Sequence, residues 1–150
     1  MAKRLSKILY ATDYSKASSK AFDQAVAMAK QNNAALWVVH VIEPLSHYVA
    51  GEDFGGAELY VKLAETTKQD AQSSMKKVMR RLEKLRVKAK SLLLKGNAAD
   101  QIVKAAKSRK ADLIVIGTHG RTGLSKLIMG SVASRVISVA SCPVLTVRGK

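Results

Sequence analysis

Short apolar runs alternate along the chain with longer stretches in which apolar residues recur at helical spacing. The runs contain few polar residues, and the second of them, over 35–42, is rich in β-branched side chains. Continuous apolar runs of this length are typical of strands that are buried on both faces of a parallel sheet. Five strands are predicted in this way, over 8–11, 35–42, 91–94, 112–117 and 143–147.

Four helical patterns separate these strands. The first opens at Ser15 and ends at Asn32-Asn33, and a glycine-bearing loop over 45–56 leads into a long helix over roughly 57–85. A short helix begins at Asn97 or Ala98, and the last helix covers 131–141. The long helix is expected to bury one stripe, made of Val61, Ala64, Ala71, Met75, Val78, Met79, Leu82 and Leu85.

The alternation of strands and helices predicts an α/β fold. We expect a doubly wound, five-stranded, mainly parallel sheet with helices on both faces. In such sheets ligands bind at the carboxyl ends of the strands, where the strand order reverses. The first and fourth strands are the expected neighbours at this switch point. Their ends carry Thr12-Asp13 and Gly117, so the chemistry of the protein is predicted to lie there.

Length and composition favour one soluble domain over 1–150. The chain has 150 residues, of which 47% are apolar, which suffices for a single core. No apolar run approaches the roughly 20 residues that span a bilayer, and the first residues lack the apolar segment of a signal peptide. The single cysteine, Cys142, excludes an intramolecular disulfide framework and is interpreted as structural. A cytoplasmic protein without membrane insertion is predicted.

A glycine-bearing segment follows the fourth strand, from Gly117 to Ser131. Glycines at a strand exit let backbone amides approach a phosphate, and the following helix presents free N–H groups at its start. The alternative is that these glycines only make turns. The segment lacks the P-loop pattern, because Thr122 stands where the second glycine is required, and it contains no Gly-x-Gly dinucleotide motif.

The spacing that does occur is Gly-x2-Gly-x9-Gly-Ser, from Gly117 to Ser131. It resembles the nucleotide-binding signature of the universal stress protein family, in its ATP-binding branch. The resemblance extends over almost the whole chain and includes the segments 8–15, 39–42, 112–120 and 142–147. It implies a Rossmann-like domain of the adenine nucleotide alpha hydrolase type. It also implies ATP as the ligand, accompanied by Mg²⁺ or Mn²⁺, although no metal-ligand spacing is present among the histidine, cysteine and acidic residues.

The same resemblance implies a place for each part of the nucleotide. The adenosine end is expected beside the first two strands, with the adenine held by the backbone of Val41, and the ribose beside Gly117. The phosphates are expected at the glycine segment and the start of the last helix. The implied binding residues are Ala11, Thr12, Asp13, Val41, Gly117, His119, Gly120, Arg121, Gly130, Ser131 and Val132. No catalytic residue is predicted.

Two of these side chains, and the neighbouring His40, also have plainer interpretations. Asp13 can belong to the turn before a helix that Ser15 caps, and His119 can simply be exposed to solvent. His40, within an apolar strand, is interpreted as a core or edge histidine.

The last strand is short and apolar. Members of the family that the chain resembles pair this strand across a two-fold axis, so a homodimer is expected.

The charge of the chain leaves further alternatives open. The sequence has 26 Lys and Arg against 11 Asp and Glu, a formal net charge of +15, which favours polyanionic partners. Eleven of the basic residues lie between Lys62 and Lys95, against three acidic ones. The basic part of the long helix is either a solvated face or a surface for a polyanion such as nucleic acid.

The favoured function is a nucleotide-dependent stress or signalling module with little or no hydrolysis. A slow ATPase, and a cyclic or dinucleotide adenine ligand, remain alternatives.

Overall fold

The computed structural model describes residues 3–45, 56–119 and 129–149. Within these ranges five strands form one sheet, and all four strand pairings are parallel. The strand order is β3-β2-β1-β4-β5, so the sheet grows outward on both sides from β1 and β4. The strands are β1 Lys7–Ala11, β2 Ala35–Ile42, β3 Ala89–Lys95, β4 Leu113–Gly117 and β5 Val144–Val147.

In the described part of the chain, four α-helices cover the sheet: α1 Ser19–Asn32, α2 Gly56–Lys84, α3 Ala98–Ser108 and α4 Ser131–Val139. Before α1 the chain makes a short 3-10 turn over Lys16–Ser18, capped by the side chain of Ser15. The first α-helix therefore begins later than the sequence pattern suggests. Within the described ranges no helix combines the length and the apolar character that crossing a bilayer requires.

Two cores lie on the two faces of the sheet, because alternate residues of each strand point to opposite sides. Ile8, Tyr10 and Val38 face α1 and α2, whereas Leu9 and Val39 face α3 and α4. This double coverage explains why the strands read as continuous apolar runs. The doubly wound, parallel architecture predicted from the sequence is confirmed.

The predicted buried stripe of α2 is wrong at its amino-terminal end. Val61 is 62% exposed, whereas Met75 and Leu82 are buried. A 29-residue helix is about 43 Å long and a strand of eight residues about 26 Å, so the sheet cannot cover the whole helix. The apolar stripe of α2 therefore extends in sequence beyond the part of the helix that the described residues of the sheet cover.

Candidate nucleotide site at the switch point

A cavity of about 630 Å³ opens at the carboxyl edge of the sheet, where β1 and β4 lie side by side. The connection from β1 passes over one face through α1, and the connection from β4 passes over the other through α4. This divergence leaves a crevice between the two strand ends, as expected for a doubly wound sheet. The volume lies within the range of about 300–1,000 Å³ that is common for small-molecule sites.

The exit of β1 is a turn whose side chains are fixed by hydrogen bonds. The Thr12 amide donates to the Val39 carbonyl at 2.9 Å, and the Thr12 hydroxyl oxygen accepts from the Tyr14 amide at 2.9 Å. The Asp13 carboxylate accepts from the Ser15 amide at 2.9 Å while also lining the cavity. Asp13 therefore belongs to the turn and lines the cavity at the same time.

The exit of β4 is joined to the start of α4. The Thr118 amide donates to the Val147 carbonyl at 3.0 Å, and the Gly130 amide donates to the Thr118 carbonyl at 2.7 Å. Thr118 and Gly130 are twelve positions apart in sequence, and their hydrogen bond brings the two ends of the glycine segment together at one wall of the cavity. His119 lies in this wall, and its Nδ1 is 2.8 Å from the Thr118 hydroxyl oxygen, so it is not merely a solvent-exposed side chain.

The amino terminus of α4 gives this wall a positive electrostatic character. Gly130 is the N-cap residue, and among the described residues no side chain caps the helix. The first amides of a helix have no intrahelical acceptor and carry a partial positive charge. Ser131, Val132 and Ala133 all line the cavity. The described lining residues include no lysine or arginine, so backbone amides are the positive groups of this part of the wall.

Two aromatic side chains at the site were missed by the sequence interpretation. His40 is buried, lines the cavity and has its Nδ1 2.8 Å from the Thr12 carbonyl oxygen. The Tyr14 ring lies against it with centroids 4.3 Å apart, and the Tyr14 backbone is in the left-handed region, with φ of 63°. The signal in the sequence that could have indicated His40 was its polar ring near the carboxyl end of β2, beside the predicted switch point.

Helix α2 forms a wall of the cavity that no sequence motif predicted. The Tyr14 hydroxyl donates to the Ala71 carbonyl at 3.1 Å, which ties the β1 exit to this helix. Thr67, Asp70 and Ser74 lie on the same helical face as Ala71 and line the cavity with it. The spacing of these residues resembles any polar helix face, so only the packing of α2 reveals their position.

The structure brings together the predicted site residues that lie within the described ranges. They are Ala11, Thr12, Asp13, Val41, Gly117, His119, Gly130, Ser131 and Val132, and all of them line the cavity. Gly120 and Arg121 lie outside the described residues, as does most of the predicted loop over 45–56. In the described part of the chain, no group of three or more His, Cys, Asp or Glu residues could hold a metal ion.

Cys142 does not belong to this site. It packs against the core beneath α3 and α4, and burial raises the pKa of its thiol, to which the negative charge of Asp112 adds. Both effects disfavour the reactive thiolate, in agreement with a structural role.

Solved structures with this fold include proteins that hold adenine nucleotides. The universal stress protein of Archaeoglobus fulgidus in complex with dAMP is 23% identical with a TM-score of 0.66, covering 97% of this chain and 100% of that one. A universal stress protein family protein of Arabidopsis thaliana with AMP bound is 18% identical with a TM-score of 0.69, covering 97% and 92%. At these identities the likeness concerns the fold.

Closer likenesses identify the family. The model of the universal stress protein family matches residues 5–148. Universal stress protein MJ0531 of Methanocaldococcus jannaschii is 40% identical over 142 residues, which cover 95% of this chain and 81% of that protein. The solved structure of MJ0577, from the same organism, is 29% identical with a TM-score of 0.87 and covers 99% of both chains. This chain belongs to the universal stress protein family.

Proposed function

We propose that this protein binds ATP in the switch-point cavity and acts as a nucleotide-dependent stress-response module with little or no hydrolysis of its own. One observation carries the proposal. One cavity is surrounded by residues from the ends of β1, β2 and β4 and from the start of α4. The sequence pattern had singled out these segments separately. Solved proteins of the same fold with dAMP and AMP bound support an adenine nucleotide as the ligand.

The phosphate end of the ligand fits the wall formed by β4 and α4. A Cβ added at Gly117 would have its nearest described neighbours at 3.6 Å, so the protein itself does not require glycine there. The missing side chain instead leaves room for a ligand to approach the backbone. The α4 amides and the exposed Ser131 hydroxyl would then hold phosphate oxygens, since a helix start favours anions. Mg²⁺ or Mn²⁺ would arrive with the triphosphate, which such ions bridge with few protein ligands.

The adenine end fits the crevice beside β2. The ladder between β1 and β2 ends at Ala11 and Val39, with a last hydrogen bond from the Thr12 amide to the Val39 carbonyl. Backbone groups alternate in direction along a strand, so the amide and carbonyl of Val41 point to the β1 side beyond the end of that strand. They are therefore placed to hydrogen-bond the edge of a planar base, which is the role that the family resemblance implies for Val41.

Two measurements test the proposal. The purified protein is denatured and the released small molecules are identified by mass spectrometry; the nucleotide-free protein is then titrated with ATP, AMP and cyclic AMP by calorimetry. We expect ATP among the released molecules and ATP binding that Ser131→Ala weakens roughly tenfold, because one hydrogen bond to a charged phosphate is lost. Gly117→Ala should weaken binding similarly while leaving the unfolding free energy almost unchanged.

Ser138→Ala is the matched control, because Ser138 is an exposed serine on the same helix whose hydroxyl donates to the Ser134 carbonyl. Equal affinity of the Ser131 and Ser138 variants, or no nucleotide binding up to millimolar concentration, would refute the proposed site. Sustained release of phosphate from ATP, lost in Ser131→Ala, would instead establish the slow ATPase.

The protein is also proposed to form a homodimer through β5. This strand pairs with β4 on one side and is the last strand of the sheet among the described residues, and its four residues are only partly buried. Ile137 and Val139, near the end of the preceding helix, are 45% and 46% exposed. An uncovered strand edge beside exposed apolar side chains is stabilised when a second strand covers it.

A further inference from the structure

A second concave surface lies at the opposite edge of the sheet from β5. It is a groove of about 450 Å³ between the carboxyl-terminal half of α2 and the edge strand β3. Its floor is apolar and includes Met75, Met79, Leu82, Val87 and Ala89. We call this surface the β3 groove. No described residue lines both this groove and the switch-point cavity.

The β3 groove runs along a strand edge that no other described strand covers. The Leu36 amide donates to the Lys88 carbonyl, and the Gly96 amide donates to the Ile42 carbonyl. The even-numbered residues along β3 therefore direct their backbone groups to β2. In a parallel ladder the backbone groups of the intervening residues point to the opposite side. The backbone amides and carbonyls of Ala89, Ser91 and Leu93 therefore face outward, at the spacing that an added strand requires.

The rim of the β3 groove is basic. Lys76 and Arg80 line it from one row of α2. Glu83 is the acidic side chain among the described lining residues. None of the ion pairs formed within the described residues includes either of these two cations. The rim therefore offers positive charge to a partner.

We propose that the β3 groove binds an extended acidic segment of a partner protein as an additional strand. Main-chain hydrogen bonds to the free edge would supply affinity, and the apolar floor would receive alternate side chains, as in other strand additions. Among these alternate side chains, acidic ones would meet Lys76 and Arg80 at the rim. A second copy of this chain docked through the same groove is disfavoured as the occupant, because the Lys76 and Arg80 side chains of the two copies would repel each other.

A peptide also fits this surface better than a nucleic acid. Single-stranded nucleic acids are held by aromatic side chains on which bases stack, and no described residue that lines the groove is aromatic. The nearby Trp37 belongs to the other face of the sheet, where Lys90 and Arg109 lie over its ring at 5.4 and 4.7 Å. The outward backbone groups of β3 match a peptide backbone and not a sugar-phosphate chain.

The test uses a fluorescein-labelled peptide of about nine residues, a length sufficient for one strand, in which each of the two rows of side chains contains both valine and glutamate. Its binding to the full chain is followed by fluorescence anisotropy. We expect saturable binding that the double variant Lys76→Glu with Arg80→Glu weakens at least roughly tenfold, because both rim charges are reversed. The same peptide with N-methyl groups on alternate amides should bind at least roughly tenfold more weakly, because it cannot pair with the strand edge.

The matched control is the double variant Lys20→Glu with Lys30→Glu, which changes the net charge equally on the exposed side of α1. It should bind the peptide like the unmodified chain. Equal weakening in both double variants, or equal binding of the N-methylated peptide, would overturn the proposal in favour of non-specific charge attraction. The proposal also fails if the peptide does not bind, or if a single-stranded oligothymidylate displaces it and binds more tightly. Dimers that disappear only in the Lys76 and Arg80 variant would show a second copy to be the occupant.

Discussion

A single carboxylate, that of Asp112, joins the amino ends of β1 and β4. It accepts hydrogen bonds from the Ser6 and Lys7 amides at 2.9 and 3.0 Å and from the Ser6 hydroxyl at 2.9 Å. Lys3 forms an ion pair with it at 2.8 Å, and the Asp112 side chain is only 6% exposed. The lysine and the amide donors together hold the pKa of Asp112 far below its ordinary range. This contact fixes β4 beside β1 at the end of the sheet away from the cavity.

Removing this carboxylate should destabilise the fold. We expect Asp112→Ala to lower the free energy of unfolding by about 1–3 kcal/mol at pH 7, because the Ser6 and Lys7 amides and the Ser6 hydroxyl lose a charged acceptor. A depressed folded-state pKa means that the contribution is complete above the unfolded pKa of about 4 and is lost as the pH falls below it. The difference between the variant and the unmodified chain, measured by urea unfolding, should therefore shrink from pH 7 to pH 3.

Asp23→Ala is the matched control for this measurement. Asp23 is 69% exposed and pairs with Arg81 at the longer distance of 3.7 Å, so its loss should change the stability by less than about 0.5 kcal/mol. A difference for Asp112→Ala that stays constant between pH 7 and pH 3 would contradict the assigned role of the ionised carboxylate.

At the scale of an element, α2 is one helix with three different environments. Its carboxyl-terminal half packs on the sheet through Met75 and Leu82, and its middle forms a wall of the switch-point cavity through Thr67, Asp70 and Ser74. Its amino-terminal part exposes Tyr60 and Val61. The helix therefore borders both the proposed nucleotide site and the β3 groove, and its amino-terminal part is packed less closely than its carboxyl-terminal half.

Two large-to-small substitutions on α2 should separate these environments. Leu82→Ala removes a side chain with no exposed surface and should lower the unfolding free energy by about 2–5 kcal/mol, since a cavity remains in the core. Val61→Ala, on the same helix, removes mostly exposed surface and should cost less than about 0.5 kcal/mol. Urea unfolding at pH 7 measures both. Comparable losses for the two variants would show that the amino-terminal part of α2 is covered in solution.

At the scale of the whole molecule, the two edges of the sheet differ in charge. The β3 edge carries Lys88, Lys90 and Lys95, whereas β5 has the sequence Val-Leu-Thr-Val. Lysines on an edge strand discourage pairing between like chains, and an apolar edge favours it. A protein of net charge +15 should therefore associate with itself through β5 and meet acidic partners through β3.

The proposed dimer is tested with a substitution at the outer edge of β5. The Thr118 amide donates to the Val147 carbonyl and the Ile114 amide to the Pro143 carbonyl, so odd-numbered residues of this strand face β4 and Thr146 faces outward. Thr146→Pro removes an outward donor without breaking the bonds to β4 and should convert the dimer to a monomer in light scattering coupled to size exclusion. Thr146→Ala keeps the amide and should remain dimeric. A monomeric unmodified chain, or a dimeric proline variant, would contradict pairing through β5.

The sequence by itself determined the parts of this protein that depend on local patterns. Strand β2 lies at the predicted residues, because burial on both faces demands a continuous apolar run. The ends of β1 and β4 are adjacent as predicted, because alternating strands and helices with right-handed crossovers leave few possible topologies. The glycine spacing from Gly117 marked a wall of the cavity, because turns and helix starts require particular residues at particular positions.

Only the tertiary structure decided which distant residues complete the cavity and which surfaces remain uncovered. Tyr14 meets Ala71 across 57 positions of sequence. His40 is buried, as its apolar neighbours suggest, but it also lies 2.8 Å from the Thr12 carbonyl oxygen and lines the cavity. Val61 continues the apolar stripe of α2 beyond the end of the sheet. Such outcomes depend on how long each element is relative to its partner and on the face that it presents. These relations exist only after the elements pack, so no local pattern can encode them.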